Sequence, residues 1–363
     1  MERRGFLGAV GVAGVAGLGS STIRAEPRRS ILGIYPSDDG SPSQQTAPIE
    51  RWLGTSVDVV VLYVNADAEV SVREWFIEEM TRTWQAGQIP MVTWLPYIGD
   101  EQTTPTTITR RIRDGEYDDI IDWWAEALST WLRAEDQIMG SRRCYFRPFP
   151  EMNGDWLPWS VLEDGDERAF IDAWRHVHDI LMDEIASFDR IQWLWNPNAT
   201  EHGEVPTEAC YPGDDYVDWI GIDGYNWGDA RSSPGWQSPT AVFEEMRSRL
   251  TALADKPLAI PEFGTTSRKN GEWDVAAKQT WITAVFAYFE ANDVRMHCWF
   301  NTDKETDWAV FGGERGTGRY EEGGKRYAIY DGFRDGVIEG HSIHGSVEPG
   351  VLPTDVFHGR FQD

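Results

Sequence analysis

The chain has 363 residues, with 33 basic against 60 acidic side chains and a formal net charge of −27. Such a surface repels nucleic acid and anionic membranes and excludes both as natural partners. Three cysteines, Cys144, Cys210 and Cys298, form no disulfide framework or zinc spacing and read as buried free thiols.

Residues 1–25 carry Arg3 and Arg4, then an apolar run from Phe6 to Gly19. The run is shorter than the roughly 20 apolar residues a membrane span needs. It reads as a twin-arginine export signal cleaved near Ala25, giving a secreted protein. Eight apolar segments follow: ILGIYP from Ile31, VDVVVLYVN from Val57, IPMVTWLPY from Ile89 and RCYFRPFPE from Arg143, then RIQWLWNPN from Arg190, VDWIGIDGYN from Val217, PLAIPEFG from Pro257 and VRMHCWFN from Val294. Most are continuous rather than alternating, the pattern of strands covered on both faces.

Helical spacing appears between them. The stripes are Val72, Phe76, Met80 and Trp84; Ile120, Trp124, Ala127 and Trp131; Phe170, Trp174, Val177 and Leu181. Later come Phe243, Met246, Leu250 and Leu253; Trp281, Ile282, Val285 and Phe289; and Tyr330, Phe333 and Val337. Each would bury one face. Residues 49–53 suggest a short first helix, and residues 196–217 read as a long loop. FGGERGTGRYEEGGKR, after the eighth strand, reads as a flexible surface loop. Strand and helix alternation predicts a single-domain (β/α)₈ barrel over residues 26–340, with a tail over 341–363. An open doubly wound sheet would carry a glycine-rich phosphate loop after its first strand, and YPSDDGSPS is none.

A barrel enzyme carries its chemistry at the C-terminal ends of its strands. Glu151 ends the fourth strand and Glu262 the seventh, each after a proline. Two carboxylates across a barrel mouth suit glycoside hydrolysis, one donating a proton and the other stabilising or attacking the sugar cation. Nineteen tryptophans support a sugar partner. Trp94, Trp156, Trp159, Trp227 and Trp299 fall at strand ends as stacking surfaces, with Asn65, Asn153, Asn196, Asp223, Asn226 and Asn301 as polar partners for hydroxyls. No HExxH or GxSxG motif is present, and the acidic runs PSDD and PGDDY read as solvated loops, so neither a metal nor a cofactor is expected.

RPFPEMNGDWLPW resembles the signature of glycoside hydrolase family 26, the β-mannanases and related endo-β-glycanases: Arg, two residues, His-Glu-Met-Asn-Gly, one residue, Trp. Arg147, Glu151, Met152, Asn153, Gly154 and Trp156 match in register. WIGIDGYNWG, IPEFG and CWFN resemble the family's later strand ends, so the likeness spans roughly residues 31–307. The resemblance implies a (β/α)₈ barrel and retaining chemistry, with Glu151 as acid/base and Glu262 as nucleophile. It also implies that Arg147 and Tyr225 serve the nucleophile and that Trp156 and Trp299 flank the cleavage point. Pro150 stands where the family has histidine, and a proline has no imidazole to offer the substrate. The alternatives are a glycan-binding barrel that does not cut and a transglycosylase. Only five of the basic residues are lysine, and the acid excess resembles proteins of salt-loving organisms. Nothing suggests an oligomer, so a monomer with a polysaccharide substrate is expected.

Overall fold

The structure, a computed structural model, describes residues 30–37, 40–136, 140–186, 188–341 and 351–361. The expected export signal, and Asp38 and Asp39 of the PSDD run, lie outside these residues. All eight predicted strands form: β1 (Ile31–Tyr35), β2 (Val59–Asn65), β3 (Ile89–Leu95), β4 (Cys144–Pro148), β5 (Ile191–Trp195), β6 (Trp219–Asn226), β7 (Leu258–Thr265) and β8 (Val294–Phe300). Each pairs in parallel with its neighbour in sequence, and β8 returns to β1 to close the barrel. The continuous apolar runs are explained by burial on both sides; every residue of β1, β4 and β5 is buried. Closure between β1 and β8 needs Gly33, because a Cβ there would lie 2.2 Å from Cys298 Sγ.

Helices wrap the barrel: α1 (Pro42–Leu53), α2 (Val70–Gln85), α3 (Ile108–Arg113), α4 (Asp118–Arg133), α5 (Asp166–Glu184), α6 (Pro239–Leu253), α7 (Val275–Ala291) and α8 (Asp331–Gly336). The stripes predicted for α5 and α7 are buried throughout. On α4 the buried edge is turned slightly, running through Ile121, Trp124, Ala125, Leu128, Trp131 and Leu132 rather than Ile120 and Ala127. Val72, in the first turn of α2, stays exposed. No α-helix follows β5; two short 3₁₀ turns, Thr207–Cys210 and Asp214–Tyr216, carry that connection.

The predicted loop after β8 is corrected. Gly318–Glu322 and Lys325–Ile329 form an antiparallel hairpin. Gly323 and Gly324 both take positive φ, which a two-residue hairpin turn demands. Its aromatic side chains pack, with Tyr327 stacked 4.6 Å from Phe311. Residues 351–361 include α9 (Thr354–Phe357) and seal the end of the barrel where the strands begin. Tyr145 donates to Phe357 O at 3.0 Å, Arg143 to Leu352 O at 2.6 Å, and Arg295 to Gly359 O. All three cysteines are buried and unpaired.

Candidate active site

The opposite end of the barrel, where the strands finish, opens into a cleft of about 1070 Å³ lined by both Glu151 and Glu262. Glu262 leaves β7 between β6 and β8, in register with Asp223 of β6. Three donors reach its carboxylate from three other strands. Arg147 of β4 donates to Oε2 at 3.0 Å, Tyr225 of β6 donates to Oε1 at 2.5 Å, and Tyr63 of β2 donates to Oε2. Burial, and then the Glu262 charge, push both phenols well above their usual pKa, so they remain protonated donors. Arg147 is itself buried and shares its charge with buried Asp223, 3.5 Å from Nη1. Burial pushes the Asp223 carboxyl up, against the pull of that guanidinium.

Glu151 sits differently. The chain leaves β4 through two left-handed residues, Phe149 at φ 48° and Glu151 at φ 56°, on either side of Pro150. The turn is pinned by Glu151 N donating to Asn196 O at 2.7 Å and Trp159 Nε1 donating to Pro150 O at 2.7 Å. The carboxyl accepts from Trp156 Nε1 at 2.8 Å and from Asn198 Nδ2 at 2.6 Å. Burial, with the Glu262 charge second, pushes its pKa up to about 7. A cleft thus holds one carboxyl able to carry a proton near neutrality and one fixed by three donors. That is the pairing of a proton donor with an anionic partner.

The structure brings Arg147, Trp156 and Tyr225 into this cleft, as the sequence suggested, with Asn65 and Trp227 also on its wall. Trp156 is 42% exposed and offers a ring face while its N–H holds Glu151. Other expectations are corrected. Trp94, Trp159 and Trp299 are buried, and none lines the cleft, so their faces are closed to a sugar. Trp159 instead braces Pro150. Trp299 donates to Trp308 O at 3.0 Å and supports the cleft wall from behind. Asn196 is also buried, and its carbonyl rather than its amide serves Glu151. Asn153 does not line the cleft either; it ties the β4 and β5 ends together through Asn198 N at 2.7 Å and Asn198 O at 2.8 Å.

Tyr63, Asn198 and Trp308 are among the cleft residues that escaped sequence reasoning. Trp308 sits in the segment after β8, its ring 4.8 Å from Tyr225. Buried Lys278 of α7 secures that segment, donating to Asp307 O and, at 3.1 Å, to Ala309 O. Asn198 could have been found from NPN, whose second asparagine extends past the strand; Tyr63 reads as one more aromatic in an apolar run.

The sequence model of Glycosyl hydrolase family 26 matches residues 113–291. Endoglucanase H of Acetivibrio thermocellus is 29% identical over 298 residues, 80% of this chain but 29% of that protein. A mannan endo-1,4-beta-mannosidase of Bacillus subtilis is 32% identical over 133 residues, 36% of this chain and 32% of its own length. The chain therefore matches about a third or less of each of these two relatives. Among solved structures, the catalytic domain of the GH26 endo-beta-1,4-mannanase from Bacillus sp. JAMB-750 superposes with a TM-score of 0.62 at 17% identity, covering 87% of each chain.

Proposed function

Because the chain belongs to glycosyl hydrolase family 26, we propose that it is a retaining glycosidase that cuts a β-linked polysaccharide such as β-mannan. The observation that carries this reading is the unequal treatment of two carboxyls in one cleft. Glu151 is pushed up to about pKa 7 beside an exposed tryptophan, while Glu262 is fixed by Arg147, Tyr63 and Tyr225. In the first step Glu262 attacks the anomeric carbon as Glu151 passes its proton to the leaving oxygen. Glu151, now a base, takes a proton from water, and the resulting hydroxide displaces Glu262 with net retention. Tyr63, Tyr225 and Arg147 keep the attacking oxygen aimed throughout. The role is compatible with Pro150, since Asn198 and Trp156 already occupy both oxygens of Glu151 and no imidazole is needed to orient it.

The reading is tested by NMR of the first-formed anomer and by variants. Glu262→Ala loses at least about 10³-fold in kcat, and azide restores turnover with a glycosyl azide of inverted configuration. An inverted first product from the unaltered protein, or full activity in Glu262→Ala, overturns it. A barrel that binds glycans without cutting them would show binding and no product. We also propose that residues 1–25 direct export by the twin-arginine route and that the acid excess is a salt adaptation. Both rest on sequence alone, and retention of the protein in cells carrying Arg3→Lys with Arg4→Lys would support the first.

A further inference from the structure

The cleft carries four basic side chains, Arg147, Arg231, Arg249 and Lys304. Two are engaged: Arg147 with Glu262 and Asp223, and Arg249 with Glu201 and Glu208. Arg231 and Lys304 have no carboxylate partner among the described residues, in a chain with nearly two acids for every base. Arg231 stands on one of a pair of packed rings, and Lys304 lines the same cleft. Arg231 lies over Trp227, its Cζ 3.4 Å from the ring centroid, and Trp227 meets Trp308 edge-on at 4.7 Å. Lys304 is four residues before Trp308 in the segment that Lys278 secures. Trp308 in turn contacts Tyr225, which holds Glu262, so Arg231 is tied to the reacting end by a short run of packed rings, with Lys304 on the segment that carries Trp308.

A guanidinium laid flat on an indole keeps its N–H edge free and fixed in direction. Such an edge is pre-organised to grip a carboxylate through two parallel hydrogen bonds. The loop that carries it is braced: Gly228 bridges Gly235, and Asp229 N donates to Arg268 O at 2.9 Å. The carboxylates facing the same cleft make the site local. Glu305 is occupied by Trp308 Nε1 at 3.0 Å, while Glu101 and Glu245 would repel an acidic group placed elsewhere. The net charge of −27 opposes an acidic chain at long range. Salt removes that term, because the Debye length falls to about 3 Å at 1 M, and contact pairs survive better.

We propose that the Arg231 and Lys304 end of the cleft is a subsite for a carboxylate-bearing sugar unit, so that the glycan cut here is acidic at a fixed distance from the cleaved bond. The proposal rests on the glycan-cleaving reading of the cleft, and its test uses binding, which does not need turnover. The probes are β-mannan and β-glucan oligosaccharides carrying one glucuronate branch, each paired with the same molecule reduced at the carboxylate to an alcohol. Calorimetry on Glu262→Ala protein in about 0.5 M KCl compares them. The acidic form should bind about tenfold tighter than its reduced partner. The preference should vanish when Arg231→Gln and Lys304→Gln are added. Equal affinity for the paired probes, no binding of either, or a preference that survives both substitutions overturns the proposal. Tighter acidic binding without hydrolysis by the unaltered protein would leave the subsite standing and sink the catalytic reading.

Discussion

Glu151 is the residue on which local chemistry is concentrated. Its left-handed backbone is disfavoured by about 1–2 kcal/mol for a side chain with a Cβ. Buried neighbours compensate: Asn196 through its carbonyl, Trp159 through its indole, and Asn153 through the β5 end. The sequence assigns these residues to substrate contact, whereas the structure buries them behind the cleft. A one-residue change of direction along a strand moves a side chain from cleft to core, and periodicity cannot resolve it in runs that are apolar throughout. Tyr63 shows the converse, a core-like residue whose hydroxyl reaches Glu262. The raised pKa of Glu151 makes two predictions. In its proposed role of proton donor it should impose a fall in kcat/KM above about pH 7. In stability the sign is as follows: its pKa rises from 4.5 to about 7 on folding, so between these values the folded chain holds more proton and loses stability as pH increases. Glu151→Gln should therefore raise Tm by a few degrees at pH 8 relative to the unaltered protein, and gain little at pH 4, by calorimetry. Equal gains at both pH values would contradict this.

The strands were legible because a parallel barrel buries both faces, which leaves long apolar runs that no helix stripe imitates. Helices were legible through spacing, with α4 displaced by a single position. The hairpin at residues 318–329 was not legible. Its glycines suggest looseness, whereas two of them form the turn, and Tyr327 finds its partner Phe311 only once the chain folds back. The segment after β8 gives a prediction at this scale. Lys278 is buried, and burial pushes its pKa down to about 8 against the attraction of Asp307. It satisfies two carbonyls and faces Asp307 at 3.8 Å. Lys278→Met strips the cation from a buried acid, and a loss of about 3–5 kcal/mol is expected in denaturant unfolding. Because Trp308 and Lys304 ride on that segment, KM should rise several-fold more than kcat falls. A stable variant with unchanged KM would show that the wall is held by other contacts.

For the molecule as a whole, charge and closure matter most. With 60 acids against 33 bases, self-repulsion opposes compactness, and screening relieves it. Tm should climb by several degrees between about 0.1 and 2 M KCl, read by circular dichroism; a flat or falling curve would remove salt adaptation from the account. Closure follows from the eight strands, and the stopper under them was expected only as a C-terminal tail. Phe357 and Gly359 are seated beneath the strand starts, and the cleft that Glu262 lines opens at the opposite end. In the proposed mechanism, a sugar bound through Glu262 would receive its rescuer through the same doorway the departing fragment uses. While that fragment or any other saccharide lingers there, water is kept waiting. The balance between release and re-attachment to a new chain is then set by how crowded the entrance is.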